Sequence, residues 1–548
     1  MRRAHSKNQL GVDPADLPTS RREQGPSRRD LLIGSLGAAA LLPLAACGDN
    51  LKPGAGPGIA IIGGGIAGLT ASYFLQRAGI RADVYEGSMR IGGRMFTNRD
   101  ALAASGQLVE LGGELVDSDH LVIPALAQIF GLMLDDLVEA TPGLTQDTFH
   151  FDGAALAEMT LVDEFAPVAA KMAIAVAASE GVDAASVAEF ERIDNMSIPE
   201  WLELEAGLDA TSSIRRLLEV AYLEEYGLEV DQQSAWNLIT LIDYSNSDPF
   251  RVFGDSDERY HIHQGSDALP LAMAAQLDDR IHLDHKLTKV SAGAAGYRLT
   301  FSTTGGERVV DVDHVVYALP FTKLREVDLV ESNLPDDKLT IIRELGYGTN
   351  AKLMMQFSDR HWELEHGSSG SAISDVGDLQ ALWSTSRGQS GSRGLLTNYV
   401  GGDRGIAIGE GSPEMQATIV LPWIDSVFPG TAEKYIPGSA VRQHWPTYEF
   451  TKGSYASYRV GQWAFFGQEG ARVDNQHFCG EHCSEDFQGF MEGGAETGAM
   501  VAAEICDDLD VRQPALLAGL LSQLVERPRA SYHAGFGEVM KISQVRRR

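Results

Sequence analysis

The hydrophobic pattern of this chain changes period several times, and each change marks an element. Ile59-Ala60-Ile61-Ile62 is an unbroken apolar run of strand length, as a strand buried on both faces requires. Leu69-Thr70-Ala71-Ser72-Tyr73-Phe74-Leu75 reads as a helix, and Ala82-Asp83-Val84-Tyr85-Glu86 as a second strand. Residues 120–250 are mostly helical by periodicity, with Ala-rich and acidic stretches such as 165–185. Strand character returns at 281–283, 289–290, 297–301 and 313–318, and again at 348–357 and 394–400. A helix is predicted over 487–508, whereas 512–548 carries no usable pattern.

The first strand and helix are joined by Gly63-Gly64-Gly65-Ile66-Ala67-Gly68, and Glu86 closes the second strand eighteen residues after Gly68. That is the order of a dinucleotide-binding βαβ unit. Gly63 permits the tight turn, and Gly65 lets the backbone of the Gly65–Ala67 turn approach a pyrophosphate. The free N–H groups of the helix start favour an anion there. Gly68 lets helix and strand pack closely. Glu86 can accept hydrogen bonds from a ribose hydroxyl and disfavours a 2′-phosphate.

Composition narrows the class. A chain of 548 residues has room for two or three domains and a large core. Its formal charge of −31 keeps it soluble, repels nucleic acid and biases it toward cationic substrates. The four cysteines, Cys47, Cys479, Cys483 and Cys506, have the spacing of neither a zinc framework nor a disulfide scaffold. No metal ligand set is expected.

The N-terminus reads as a targeting segment. Ser27-Arg28-Arg29-Asp30-Leu31-Leu32 is a twin-arginine pattern, whereas Arg21-Arg22 is followed by Glu23 and Pro26. The apolar run from Leu31 to Leu44 is too short to span a bilayer as a helix. It ends in Leu44-Ala45-Ala46-Cys47, which resembles a bacterial lipobox with Cys47 as the lipidated residue. The expectation is export of a folded, cofactor-loaded protein across the bacterial inner membrane by the twin-arginine machinery. A lipid on Cys47 would tether it to a membrane; a plain cleaved signal is the alternative.

Four further blocks, spread over 58–508, make the chain resemble the FAD-dependent amine oxidases, which include monoamine, polyamine and L-amino acid oxidases. The first is the βαβ unit with Gly92-Gly93-Arg94, where the resemblance lays Gly93 along FAD and brings the guanidinium fork of Arg94 to its phosphates. The second is Glu110-Leu111-Gly112-Gly113-Glu114-Leu115, where Gly112 and Gly113 would approach the flavin and Glu114 would border the substrate, either holding a distal ammonium or paired with a nearby base or solvated. The third is Gly348-Thr349-Asn350-Ala351-Lys352, with Trp362 beyond, where Lys352 would reach N5 of the flavin through a water. The fourth runs from Trp445 to Tyr455 and then through Glu481 and Gly489-Phe490-Met491. There the rings of Tyr455 and Phe490 would flank the substrate amine, while Trp445, Glu481 and Met491 would contact the cofactor. Val290 is placed in the strand whose backbone would meet the adenine.

The resemblance implies an α/β fold of two lobes: a Rossmann-like FAD-binding domain built from several chain segments and an α+β substrate domain. The expected boundaries are 1–46 signal, 47–57 linker, 58–120, 251–330 and 441–511 for FAD, 121–250 and 331–440 for substrate, and 512–548 as a tail. The implied reaction is oxidative deamination of a primary or secondary amine, mono- or polyamine, with dioxygen reduced to hydrogen peroxide. FAD should be non-covalent, because Ser454 stands where covalent relatives carry cysteine. An L-amino acid oxidase is the alternative, but Leu115 replaces the arginine expected to clamp a carboxylate, so Arg251 or Arg387 would have to serve. A dehydrogenase or desaturase with another acceptor is a further alternative. Oligomeric state is left open, a homodimer among the options.

Overall fold

A computed structural model describes residues 57–526 apart from residue 182. The twin-arginine segment and Cys47 lie outside the described residues.

The apolar run Ile59–Ile62 forms strand β1, followed by helix α1 (Ile66–Arg77) and strand β2 (Asp83–Tyr85). The sheet is completed from remote parts of the chain. Its order is Ile281–His282, β2, β1, His314–Tyr317 and Gln476–Phe478, all parallel. A parallel sheet needs both faces covered, and the side chains divide accordingly. Ile59, Ile61, Val84 and Val316 pack with Leu69 and Phe74 of α1 and with Ala499 and Ala502 of the helix Met491–Asp508. Ala60, Ile62, Tyr85, Val315 and Tyr317 face Leu287, Val290, Leu299 and Phe301. The latter four belong to a second, four-stranded layer in which Lys286–Gly293 and Gly296–Thr303 are the central strands. Tyr85 stacks on Phe301 with ring centres 4.6 Å apart.

The other lobe rests on a seven-stranded sheet ordered Val441–His444, Ala351–Phe357, Gly394–Val400, Gln380–Ser384, Ser368–Ser374, Thr145–Phe151 and Ala154–Ala155. Five helices between Glu158 and Leu241 join it to form that lobe's helical part. Three features depart from the sequence reading. Thr145–Phe151 is a strand inside a region read as mostly helical; it pairs in parallel with Ser368–Ser374. Val441–His444 pairs with Ala351–Met354, so the boundary at 441 cuts off a strand of the second sheet. Ala515–Glu526 is a helix in the stretch without a usable pattern, and its Leu517 and Leu520 are buried. Each is settled by a partner remote in sequence, which local periodicity does not contain. Among the described residues no helix is long and apolar enough to cross a membrane.

Helices α1 and Met491–Asp508 meet at Gly498, where a Cβ would lie 2.2 Å from the Ala67 carbonyl oxygen. Gly498→Leu should push these helices apart, costing about 1–3 kcal/mol as overpacking does. Because Ala67 lines the central cavity, FAD should also dissociate at a lower temperature, read by flavin fluorescence during thermal denaturation.

Candidate active site

A cavity of about 590 Å³ is lined by residues of both lobes. Its nucleotide part is built by the βαβ unit, from Gly63, Gly65, Ala67 and Glu86. Gly63 has φ +116°, and a Cβ there would lie 2.4 Å from the Ala318 carbonyl oxygen, so only glycine fits the turn. At Gly65 the nearest atom to such a Cβ is Gly93 Cα at 3.9 Å, leaving space over the start of α1. That helix start has no side-chain cap and no acidic residue in its first turn. Its N–H groups are therefore open to an anion. The buried Glu86 carboxylate is fixed by the amides of Gly64 and Ser88, each at 2.8 Å. His482 also lines the cavity, with both ring nitrogens buried and unpartnered. Burial pushes its pKa well below the usual imidazole value, so it is neutral and offers one donor and one acceptor. An open helix start, a fixed acid and an orphaned imidazole on one cavity fit a dinucleotide.

Gly68 lies outside the cavity lining, and a Cβ there would lie 2.1 Å from the Gly63 carbonyl oxygen. The Val290 side chain is fully buried with Leu299 and Phe301 in the layer behind the sheet, and the residue is not among those lining the cavity. The same strand region approaches the nucleotide part earlier, where the His285 amide donates to the Glu86 carbonyl at 2.9 Å. Arg94 and Glu481, each expected to reach the cofactor, first bind one another at 2.7 Å. Arg94 donates as well to the Ser454 carbonyl at 2.7 Å, and Glu481 accepts from the Gly489 amide at 3.0 Å. Both still line the cavity, as do Gly93, Trp445 and Met491.

The segment Glu110–Glu114 is where the two lobes meet. A Cβ on Gly112 would lie 1.8 Å from the Arg94 carbonyl oxygen, and one on Gly113 would strike Met491 at 2.8 Å. Trp445 donates from Nε1 to the Leu111 carbonyl at 3.2 Å. Lys352, from the second sheet, donates its buried ammonium to Glu114 Oε2 and the Gly112 carbonyl, both at 2.8 Å, and to the Glu110 carbonyl at 3.3 Å. Trp383 Nε1 also donates to Glu114, at 3.2 Å. Of the two readings of Glu114, the paired one describes this arrangement: its carboxylate already holds an internal ammonium, that of Lys352. Burial opposes its charge, but Lys352 and His261 outweigh that and hold its carboxyl below the usual range. One layer deeper, Glu110 accepts from His261 Nε2 and the Ser266 amide, both at 3.0 Å, and from the Thr97 hydroxyl at 2.9 Å. Burial opposes the charge of His261 too, yet the Glu110 carboxylate raises its pKa.

Tyr455 and Phe490 both line the cavity. The Tyr455 hydroxyl donates to the Glu225 carbonyl and pairs with the Tyr399 hydroxyl at 2.9 Å, which fixes its ring. Phe490 packs edge-on against His120, with ring centres 5.6 Å apart.

The residues that sequence reasoning missed line the rest of the cavity. Glu224 and Glu225 come from the end of the helix Ser213–Tyr226, Asp147 from the unrecognised strand, and Glu258 from a loop. Glu258 is exposed on the wall of the open cavity. Burial, with Asp117 and Glu225 nearby, pushes it up to about 8. Burial and Asp117 push Glu225 up to about 7, and burial raises Glu224 and Asp147 as well. Arg387 is the counter-charge: it lines the same region, and its buried Nε has no partner. The only sequence signal for this cluster is a pair of adjacent acids closing an amphipathic helix, a pattern ordinarily solvated. Arg251, the other candidate clamp, is tied to Asp243 and Asp255.

The family-wide sequence profile described as flavin containing amine oxidoreductase matches residues 66–506. The chain belongs to that family. Its cofactor is FAD, and it is an oxidoreductase of the amine and amino-acid oxidising class. Similar proteins include an L-amino-acid oxidase of Siganus canaliculatus, 23% identical over 466 residues that cover 82% of this chain and 85% of that protein. A pseudooxynicotine dehydrogenase of a Pseudomonas species is 24% identical over 530 residues, covering 89% and 97%. Among solved structures, a putrescine oxidase bound to putrescine superposes with TM-score 0.70 at 20% identity, covering 82% of this chain and 99% of that one. The fold is thus the two-lobed fold of flavin amine oxidases.

Lys352→Met would strand a buried carboxylate at Glu114, and breaking a buried pair by removing one partner costs about 3–5 kcal/mol. Urea denaturation should show that loss, and Glu114→Gln in the same chain should recover part of it. Because the Glu114 pKa is depressed, the pair's contribution is present above the unfolded value near 4.5 and disappears as pH falls through the folded value. The wild type should therefore lose more stability on acidification than the double variant.

Proposed function

We propose that this flavoprotein oxidatively deaminates a primary or secondary amine, and that the carboxyl-lined part of its cavity favours amines carrying a second positive charge. The observation that carries this reading is the cluster of Glu224, Glu225, Glu258 and Asp147 around the cavity, opposed there by the guanidinium of Arg387, while Arg251 is tied to Asp243 and Asp255. The amine loses two electrons and two protons to become an imine. Water hydrolyses the imine to a carbonyl compound plus ammonia or a smaller amine, and dioxygen takes up the electrons as hydrogen peroxide. FAD supplies the two-electron acceptor beside the carbon that bears nitrogen.

The chain's own residues bind, orient and screen. Glu225 and Glu258 attract the cationic substrate and neutralise its remote end. Tyr455 and Phe490 offer apolar faces to the reacting amine and keep bulk water from it. Lys352 keeps a fixed positive charge beside Gly112, with Glu114 restraining its position. FAD is held without a covalent bond: Ser454 offers no thiol, and Cys479, Cys483 and Cys506 do not line the cavity. Acid precipitation should therefore release free FAD into the supernatant.

A second reading has its own observation. The unpartnered Nε of Arg387 suits a substrate carboxylate, which would make the substrate an L-amino acid. Export across the inner membrane by the twin-arginine route, with a lipid on Cys47, remains part of the proposal on sequence grounds. Arg28→Lys with Arg29→Lys should leave the protein in the cytoplasmic fraction.

The deciding experiment is anaerobic bleaching of the flavin band near about 450 nm with a panel of monoamines, diamines and L-amino acids. Bleaching by amines, fastest with a diamine, is the expected result; bleaching by amino acids alone would transfer the assignment to the Arg387 reading. Admission of air should restore colour and form peroxide, and failure to do so would replace dioxygen with another acceptor.

The acid cluster also sets a pH dependence. Glu225 and Glu258 gain charge as pH rises through about 7 and about 8, so kcat/KM for a diamine should climb across that window. Glu258→Gln should remove the upper part of the rise and raise KM. In the ligand-free protein these carboxyls bind protons more tightly folded than unfolded. Stability should then fall from about pH 4.5 to about pH 8, less steeply in Glu258→Gln.

A further inference from the structure

Away from the cavity, three side chains converge at the edge of the nucleotide sheet. His314 opens the strand His314–Tyr317, His477 lies in the edge strand Gln476–Phe478, and Asp508 ends the helix Met491–Asp508. His314 Nδ1 and His477 Nε2 are 3.3 Å apart, and Asp508 Oδ2 lies 3.9 Å from His477 Nε2. All three ligand atoms lie within 4.8 Å of one another. We propose that His314, His477 and Asp508 form a site for a divalent cation of the zinc class, pinning the C-terminal end of that helix to the edge of the sheet.

The spacing and two outer contacts support the assignment. Two ligands each about 2.0–2.1 Å from a tetrahedral ion stand about 3.3 Å apart, the spacing of the two facing nitrogens. His477 Nδ1 meets Glu504 Oε2 at 2.8 Å. That carboxylate keeps the proton on Nδ1 and leaves the Nε2 lone pair facing His314, as outer partners of metal-binding histidines do. Arg472 holds Asp508 Oδ1 at 2.9 Å, which turns Oδ2 toward the histidines. Its positive charge opposes a cation, whereas Glu504, Asp508 and the negative end of the helix dipole favour one. Two imidazoles and one carboxylate suit zinc, with water completing the tetrahedron. None of the three residues lines the active-site cavity, so the site stands independently of the proposed reaction.

The competing arrangement is a plain hydrogen bond from His314 to His477, and zinc alone distinguishes the two. Full-length FAD-loaded protein, freed of metal by a chelator, should be titrated with zinc chloride by calorimetry and thermal melting, beside Asp508→Asn and His314→Gln. Asp508 sits at a helix end with its side chain 26% exposed, so its substitution should leave the fold intact. The expected result is one equivalent bound by the wild type with a rise in Tm, tenfold or greater weakening in both variants, and unchanged FAD content. No binding to the wild type, or zinc bound equally by all three proteins, overturns the site.

Discussion

One buried ammonium, that of Lys352, holds the site together. It enters from Ala351–Phe357, the strand beside the edge of the seven-stranded sheet, and ends on the Glu110–Glu114 segment of the nucleotide lobe. Two carbonyls and one carboxylate take its donors, so a charge that would be prohibitively costly alone is fully satisfied. The same segment receives Trp445, abuts Met491 and lies on the Arg94 carbonyl. Elements from four distant parts of the chain are therefore registered against one short stretch of backbone. Two glycines are needed there because each contact falls closer than a side chain allows.

Around this fixed point the cavity separates two kinds of electrostatics. Beneath the Gly112–Gly113 backbone, charges come in matched pairs: Lys352 with Glu114, and His261 with Glu110. They are saturated and set geometry. At the far side the carboxyls of Glu224, Glu225, Glu258 and Asp147 outnumber the counter-charge that Arg387 brings to them. Burial drives these acids toward the neutral form, and a bound cation would restore their charge. The first group is structural because its demands are met within the protein; the second can act on a ligand because its demands are not.

The legibility of the site followed the same division. Gly63, Gly65, Ala67 and Glu86 were readable because backbone approach and helix-start chemistry need particular residues at particular spacing. Lys352, Tyr455, Phe490 and Glu481 were readable only through resemblance, since a lysine in a strand or a phenylalanine before a helix has no local signature. Glu114 was placed in the right neighbourhood, but its partner lies 238 positions along the chain. For Val290 the sequence did not say which layer its side chain faces. The acid cluster was invisible, since Glu224-Glu225 reads as a solvated helix end.

The sequence by itself determined the nucleotide-binding unit, the family and the broad division into interleaved lobes. The first rests on local rules, strand and helix periods and glycine where backbone must close on backbone, whereas the family and the lobes rest on the resemblance carried by the order of the motifs along the chain. Tertiary structure alone decided which carboxylates were neutralised and which faced the cavity, and that Thr145–Phe151 and Val441–His444 belonged to the second sheet. The physical reason is that the state of a charge and the pairing of a strand are set by neighbours in space. Here those neighbours come from separate segments of the chain.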